Sequence, residues 1–350
     1  MVKSRSIIAT PPGATIKEQL IDRGMSQKEF AARMDMTEKH ISRLINGEVQ
    51  LTPDVAVRLE MVLGIPAQFW NRLESIYREK IVRANEENKM DEDIELSKKL
   101  PYKEMVANKW VAESRNPVER VIHLRKYFEV VQLKLIERGY IPNIACRRLA
   151  TTEKADLALI AWAQKAKLEA RSIKTQPIDL GRLNSEVPRI RAMTKENPEK
   201  FCSDLIEILS NCGIALVFLP HIGGSFLHGA TFYDGNKIVV GLTVRGKDAD
   251  RFWFSLFHEL GHIILGHIGK ISGTSDENER DADEFAKEIL IPSDLFYDFA
   301  GEKDFSKEKM IKFASNIGID VGILVGRLQK EGYIPYNWHN DLKIKYEIRN

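Results

Sequence analysis

Between about residues 14 and 80, apolar residues recur at helical spacing in short runs, and capping and turn residues separate the runs. This pattern predicts five helices. Ser26, Thr37 and Thr52 are suited to cap the starts of the second, third and fourth helix, and a glycine follows the first, third and fourth. These signals together predict a compact N-terminal domain of five helices within residues 1–80.

The region from residue 81 to residue 200 has a helical pattern and no catalytic motif. Apolar spacing predicts helices around 121–138, 155–169 and 187–194. The charged stretch 86–93 fits either a linker or the solvated end of a long helix. We expect this region to bridge the modules on either side of it.

The pattern beyond residue 200 mixes strands with helices. It predicts a helix over 198–211, a buried strand over 214–219 and a hairpin over 229–242, followed by a strongly apolar helix that Asp248 or Asp250 caps. Residues 301–350 are predicted to form a helical extension on this domain. The fold class that follows is α+β and predominantly helical, with a small, mostly antiparallel sheet in the C-terminal half.

The apolar helix carries the motif His258-Glu259-Leu260-Gly261-His262. Two histidines four residues apart share one face of a helix and can bind one divalent metal ion. The glutamate after the first histidine then lies beside the metal, where it can take a proton from an attacking water. The alternative is a pair of core histidines bonded to backbone carbonyls, but one zinc ion would satisfy both buried imidazoles at once. The motif therefore predicts a zinc-binding helix with Glu259 as acid and base.

The third ligand is predicted to be a carboxylate, because Leu265 and Ile268 stand where a longer zinc-protease motif would have Gly and His. The stretch 276–298 holds nine acidic residues against only two basic ones. Glu279 and Asp283 share one helix face, so we assign Glu279 as the ligand and Asp283 as the acid that orients a ligating histidine. A solvated acidic face is the alternative for Glu279, and three neighbouring acids remain competing ligands: Glu277, Asp281 and Glu284.

Two histidines, one carboxylate and an open fourth position are the ligand set of a catalytic zinc site. One Zn²⁺ per chain is therefore expected. His221 and His228 flank a pair of glycines nearby, and we expect a structural or solvent-facing role for both rather than a role as transition-state donors.

The second and third N-terminal helices, joined by a tight turn, predict a helix-turn-helix whose second helix enters the major groove of DNA. A small helical protein-interaction bundle is the alternative interpretation. Gln27 is placed to contact a phosphate or a base, and the exposed positions of the recognition helix are predicted to contact DNA as well: Thr37, Glu38, Lys39, His40 and Arg43.

Composition adds few constraints. The chain has 350 residues, of which 43% are hydrophobic and 29% charged, and its net charge is +2. It contains neither a run of 18 apolar residues nor the apolar core of a signal peptide, so we expect a cytoplasmic protein with no membrane partner. Cys146, Cys202 and Cys212 lack CxxC spacing and are expected to be reduced thiols.

The residues of the N-terminal module resemble the XRE-type helix-turn-helix family, and more narrowly the HigA class of antitoxin. The resemblance covers residues 15–75, and three stretches carry it: Met25-Ser26-Gln27-Lys28-Glu29-Phe30-Ala31, Ile41-Ser42-Arg43-Leu44-Ile45-Asn46-Gly47 and Gly64-Ile65-Pro66-Ala67-Gln68-Phe69-Trp70. The C-terminal half resembles the ImmA/IrrE family of zinc metallopeptidases, through the HExxH motif and Glu279-Arg280-Asp281-Ala282-Asp283-Glu284-Phe285-Ala286, with Leu290-Ile291-Pro292 behind it. Together the two halves resemble the antitoxin–peptidase fusions of bacteria and phages.

This resemblance implies a zincin-like metallopeptidase domain over 201–300, with the metal on His258, His262 and Glu279 and with Glu259 as acid and base. Where family members often have Glu-Ala-Asn, this chain has Asp281-Ala282-Asp283, which leaves Glu279 as the only glutamate in the expected place. The resemblance also implies a regulator that binds operator DNA and cleaves a repressor or partner protein. Its protein partner is expected to be this regulatory substrate or a cognate toxin, and its oligomeric form a homodimer.

Two other functions fit the same residues. One is an antitoxin-type repressor whose zinc-binding domain is a sensory or protein-binding scaffold without proteolytic activity. The other is a helical adaptor that binds no metal.

Overall fold

The computed structural model describes residues 2–4, 6–88, 90–138, 153–223, 229–243, 247–268 and 275–347. The predictions for Cys146 and His228 lie outside these residues. The chain forms two compact units, residues 1–95 and residues 96–350. This division falls inside the region that the sequence predicts to bridge the two modules.

The first unit contains the five predicted N-terminal helices. They are α1 (Gly13–Asp22), α2 (Gln27–Arg33), α3 (Glu38–Ile45), α4 (Pro53–Leu63) and α5 (Ala67–Asn88). A sixth helix, α6 (Asp91–Lys99), includes the point at which the two units divide. The charged stretch that begins at residue 86 is thus helical through Asn88, where α5 ends, so the end of a long helix is the better of its two interpretations.

Three side-chain caps set the starts of these helices as the sequence predicts. The hydroxyl of Ser26 accepts a hydrogen bond from the amide of Glu29 at 3.1 Å, and the hydroxyl of Thr37 accepts one from the amide of His40 at 3.2 Å. Thr52 caps α4 in the same way, because the amide of Val55 is 3.4 Å from its hydroxyl. Each cap satisfies a donor that the helix itself leaves unpaired, so the helix boundaries are local properties of the sequence.

A short N-terminal hairpin, β1 (Val2–Lys3) paired antiparallel with β2 (Ile8–Ala9), was not predicted from the sequence. It is attached to the end of α5, where the hydroxyls of Ser4 and Ser6 donate hydrogen bonds to the carboxylate of Glu87. Two-residue strands carry too little pattern to be recognised in a sequence, since alternation needs at least four positions.

The second unit is built from ten helices and three strands within the described residues. The helices that precede the sheet are α7 (Tyr102–Ala107), α8 (Pro117–Phe128), α9 (Glu153–Ala170), α10 (Leu180–Ala192) and α11 (Pro198–Asn211). After the sheet come α12 (Ala249–Ile264), α13 (Asp276–Leu290), α14 (Ser293–Gly301), α15 (Lys307–Ile317) and α16 (Val321–Lys330). Short 3-10 helices lie at Leu133–Arg138, Met193–Lys195 and Asn340–Leu342. The described residues contain no helix long and apolar enough to cross a bilayer.

The sheet of the second unit is mixed. Its strands β3 (Ile214–Phe218), β4 (Gly229–Asp234) and β5 (Lys237–Leu242) lie in the order β3-β5-β4. The hairpin β4–β5 is antiparallel as predicted, and Gly235 has a positive φ of 63° in its turn. Strand β3 runs parallel to β5, a pairing that the sequence does not indicate. Strand β4 therefore lies at one edge of the sheet.

Helix α12 lies in the main core of the second unit. It is apolar nearly all round, and Trp253 and Phe257 are fully buried. It packs against α13 and α16, and one end of it approaches β4. A helix in such a position buries polar side chains along with apolar ones, and these polar side chains form the candidate site.

Residues 343–346, here called the C-terminal strap, hold the start of α12. The amide of Ala249 donates to the carbonyl of Ile344 at 2.9 Å, and the indole nitrogen of Trp253 lies 3.1 Å from the hydroxyl of Tyr346. The ammonium of Lys343 lies 2.9 Å from the carboxylate of Asp250, and both side chains are more than nine-tenths buried. Asp250 thus forms a buried ion pair, and the N-cap of α12 is Asp248, whose side chain makes no capping bond.

Candidate functional site

Two helices bring the candidate metal-binding residues together. Helix α12 carries His258 and His262 toward α13 and Glu259 toward β4, and Glu279 lies in the first turn of α13. Helix α13 begins with a capping box in which Ser275 and Asn278 bond to each other's backbone amides. Because this box sets where the helix starts, it also sets the position of Glu279.

The side chains of His258, His262 and Glu279 converge on one point. The two Nε2 atoms lie 3.1 Å apart, and the oxygens of Glu279 lie 3.4 Å from Nε2 of His258 and 3.5 Å from Nε2 of His262. Ligands about 2.0–2.1 Å from a tetrahedral zinc ion lie about 3.3 Å from one another. Two neutral imidazoles and a carboxylate at these separations fit one zinc ion and leave its fourth position open.

The competing acids of α13 do not reach this point. Glu277, Asp281 and Glu284 are exposed, whereas Glu279 is buried. Glu284 forms an ion pair with Lys287 at 2.5 Å on the outer face of the helix. Among the acidic residues of α13, Glu279 is therefore favoured as the ligand, because its side chain is buried and lies close to both histidines.

Each histidine has a partner at its other ring nitrogen. Nδ1 of His258 lies 2.8 Å from Oδ1 of Asp283, which is the arrangement that the sequence predicts for this acid. Nδ1 of His262 lies 3.2 Å from Nδ1 of His267, so one of these rings donates its N–H and the other accepts it. Such partners fix the tautomer and the ring orientation of a metal ligand. The sequence does not predict this contact of His267.

The charges of the site are strongly coupled. Burial acts to lower the pKa of His258, but its hydrogen bonds with Asp283 and Glu279 raise that pKa to about 10. Burial and the neighbouring His258 lower the pKa of His262. Two positively charged imidazolium rings with their Nε2 atoms 3.1 Å apart would repel each other, and a bound metal ion would require both rings to be neutral.

Glu259 lies beside the ligands but does not join them. It is only 4% exposed, and the hydroxyl of Thr231 on β4 donates a hydrogen bond to its Oε2 at 2.5 Å. Burial raises the pKa of Glu259 to about 7, against the opposing effects of His258 and Thr231. A carboxyl group near neutral pKa can both take and give a proton, which is the property that a general acid and base needs.

Gly229, at the start of β4, allows the strand to approach Glu259. A Cβ atom at this position would lie 2.6 Å from Oε1 of Glu259, which is closer than real Cβ contacts. The edge strand thus lies directly against Glu259. Thr231 and Gly229 were not identified from the sequence, because only strand pairing and packing place them here.

A cavity of about 430 Å³ opens beside these residues. It extends along α12 from His258 past Phe254 to Asp250, and α16 forms its opposite wall through Ile323, Gly326 and Lys330. His221, which is half-buried after β3, is not among the described residues that line it. The contribution of α16 and the strap to this wall was not identified from the sequence either.

In the first unit, α2 and α3 form the predicted helix-turn-helix. Ile41 and Leu44 of α3 are buried in the core of the unit. The residues predicted to contact DNA are exposed, apart from His40, which is half-buried: Gln27, Thr37, Glu38, Lys39 and Arg43. Arg43 lies 3.6 Å from Glu48 in a weak surface ion pair that a phosphate can replace.

Comparison with known proteins supports both modules of the chain. A helix-turn-helix family profile matches residues 16–70, and an IrrE N-terminal-like domain profile matches residues 226–329. The chain is also 36% identical over 66 residues to the uncharacterized HTH-type transcriptional regulator YddM of Escherichia coli (strain K12), an alignment that covers 19% of this chain and 70% of YddM. The chain therefore belongs to the helix-turn-helix transcriptional regulators, and its second unit contains a region similar to the IrrE N-terminal-like domain.

Proposed function

We propose that this protein is a transcriptional regulator that binds operator DNA and carries a zinc-dependent endopeptidase, which cleaves a regulatory protein. The observation that supports the peptidase is the convergence of His258, His262 and Glu279 beside a buried glutamate, Glu259. A site that only held a structural metal would need four protein ligands and no buried acid next to them.

The chemistry follows from what each residue does. A zinc ion, when bound by the two histidines and Glu279, supplies a Lewis acid that polarises the scissile carbonyl and acidifies a water molecule. Glu259 takes a proton from the attacking water and delivers it to the leaving amine. The hydrogen bond from Thr231 holds Glu259 in the position for both transfers, and Asp283 holds the ring of His258.

The sheet supports a polypeptide as the substrate. Among the described strands, β4 pairs only with β5 and so presents a free edge beside Glu259. An extended peptide can add to such an edge through its own backbone hydrogen bonds, which brings its carbonyl groups to the site without demanding one side chain. An unfolded or exposed segment of a regulatory protein fits this requirement.

The DNA-binding part of the proposal assigns contacts to the exposed face of α3 and to Gln27 of α2. Lys39 and Arg43 would contact phosphates or bases, and the other positions of this face would set the register on the duplex. An antitoxin role of the HigA type, with a cognate toxin as a partner and with two copies of the chain on a symmetric operator, belongs to the same proposal.

Glu259→Gln tests the proteolytic step, because it keeps the shape of the side chain and removes its proton transfer. We expect cleavage to fall by about 10² or more, with zinc content and DNA binding unchanged. Protein fragments and repressor levels are compared by proteomics in cells that carry the native protein, Glu259→Gln, or Glu277→Gln as the control from an exposed glutamate.

Identical fragments from the native protein and Glu259→Gln would remove the catalytic role of Glu259. If the native protein and Glu259→Gln also bound zinc and regulated the operator equally, the zinc-binding domain would be a non-proteolytic scaffold. The repressor alternative would then replace the peptidase.

A further inference from the structure

The charged lining of the cavity is mostly cationic away from the metal-binding residues. Apart from Glu259, Glu279 and Asp283, its acids are Asp250 and Glu331, and it has five basic residues: Arg251, Lys287, Arg327, Lys330 and Lys343. In the lining as a whole, five acids balance these five bases, so the attraction of an anionic group depends on the cations that no acid neutralises. Which of these charges is available to a ligand depends on the pairs that they already form.

Four of the five basic residues have a carboxylate partner. Arg251 lies 3.6 Å from Asp248, Lys287 lies 2.5 Å from Glu284, Arg327 lies 2.9 Å from Glu331, and Lys343 lies 2.9 Å from Asp250. Lys330 differs from them, because no carboxylate oxygen of the described residues lies within 4.0 Å of its ammonium. Lys330 is therefore the cation of this wall that a ligand can pair with at least cost.

Lys330 is also close to the metal-binding residues. It is the last residue of α16, and its ammonium lies 4.3 Å from the centre of the Phe254 ring. Phe254 precedes His258 by four residues, so the two rings are neighbours on one face of α12, with their centres 6.4 Å apart. The ammonium thus lies over an apolar ring that neighbours His258.

We propose that Lys330 selects an acidic substrate residue next to the scissile bond. This inference rests on the proposed peptidase function and adds to it a substrate class, namely proteins with Asp or Glu at the position that the cavity receives. The methylene groups of such a side chain would lie on Phe254, and its carboxylate would pair with the ammonium. Lys330 is a specificity residue in this proposal and takes no part in the proton transfer.

The test uses the full-length, zinc-loaded protein and hydroxamates that bind its zinc. Two series of peptide hydroxamates carry Asp, Asn or Lys next to the zinc-binding group. In one series this residue lies on the N-terminal side of the group, and in the other series it lies on the C-terminal side. Dissociation constants are measured by calorimetry for the native protein, Lys330→Met, Lys330→Glu, and Lys312→Met as the control from an exposed lysine on α15.

In the native protein and in Lys312→Met, we expect Asp to bind about tenfold more tightly than Asn in one series, as a charged hydrogen bond provides. This preference should vanish in Lys330→Met and change to a preference for Lys in Lys330→Glu. It should also weaken as salt is added, because the ammonium is exposed.

Equal binding of Asp and Asn by the native protein in both series would overturn the inference and leave the peptidase proposal standing. The same holds if the preference survives in Lys330→Met, or if that variant weakens all three compounds equally, since Lys330 would then act on the zinc-binding group. A protein that takes up no zinc would overturn the proposed function, and this inference with it.

Discussion

The carboxylate of Asp283 lies 2.8 Å from Nδ1 of His258, one helical turn along α13 from Glu279. The other nitrogen of the same ring faces Glu279 at 3.4 Å. One imidazole is therefore held between two acids of a single helix, in the i and i+4 positions. Any rotation of α13 about its axis would move the ligand and the orienting acid together.

Replacing Asp283 should weaken zinc binding without removing a ligand. We expect Asp283→Ala to lower the affinity for zinc by about 10–100-fold, because the ring of His258 loses the partner that fixes its tautomer. The affinity is measured by competition with a chromogenic chelator. Asp281→Ala is the control, since Asp281 is exposed on the same helix. Equal affinities for the two variants would show that Asp283 does not orient the ligand.

Two buried threonines near the sheet should respond differently to the same substitution. Thr231 donates a hydrogen bond to Glu259, so Thr231→Val leaves a buried carboxylate without a donor and should destabilise α12 by about 1–3 kcal/mol. The hydroxyl of Thr243 has no hydrogen-bond partner within the described residues, so Thr243→Val should change stability by much less. Native-state hydrogen exchange of the α12 amides measures both. A larger loss in Thr243→Val would contradict the assigned bond.

Arg191 should matter more to the second unit than its neighbour Arg189. Its guanidinium donates hydrogen bonds to the carbonyls of Ile289 at 2.7 Å, Leu290 at 3.0 Å and Ile317 at 2.8 Å, which fixes the C-terminal ends of α13 and α15. We expect Arg191→Met to cost on the order of 3 kcal/mol, because buried carbonyls lose their donors. Arg189→Met is the control, as Arg189 is exposed.

Hydrogen exchange at the C-terminal end of α13 reports this loss locally, and zinc affinity reports whether Glu279 moves with the helix. Protection that is the same in Arg191→Met and Arg189→Met would show that the end of α13 is stable without the guanidinium.

DNA binding should depend on the exposed face of α3. The preferred duplex is first selected from a random pool with the native protein. Arg43→Ala and Lys39→Ala should then each weaken binding to this duplex. Each should also reduce the slope of log affinity against log salt concentration by the amount expected for about one phosphate contact. Arg83→Ala, a change at an exposed arginine of α5, is the control. Unchanged affinity in both α3 variants would show that another surface contacts DNA.

Much of the fold was predictable because its signals are local. Proline at the first position of α11 and the caps Ser26 and Thr37 specify where helices begin within three residues of chain. The HExxH spacing likewise needs only one helix to bring two histidines to one face. The α+β fold, the predominance of helices and the two modules are confirmed.

The rest could not be predicted because it depends on contacts between distant segments. Thr231 reaches Glu259 across 28 positions, and Lys343 reaches Asp250 across 93. The parallel pairing of β3 with β5 is of the same kind, since a strand pattern shows which face is buried but not which neighbour it has. His267 was visible beside the motif, yet only the end of α12 at Ile264 shows that its ring turns back toward His262.

The C-terminal strap extends the second unit beyond the region that matches the family profile. The region shared with the IrrE-like family ends at residue 329, whereas Lys343 and Tyr346 lie beyond it. Without Lys343, Asp250 would remain a buried carboxylate without its cation, which costs about 3–5 kcal/mol. We expect a protein cut at residue 329 to lose the ion pair and the hydrogen bonds that the strap makes with α12, and to be less stable than the full second unit. The stable domain of this chain would then be longer than the region that sequence similarity outlines.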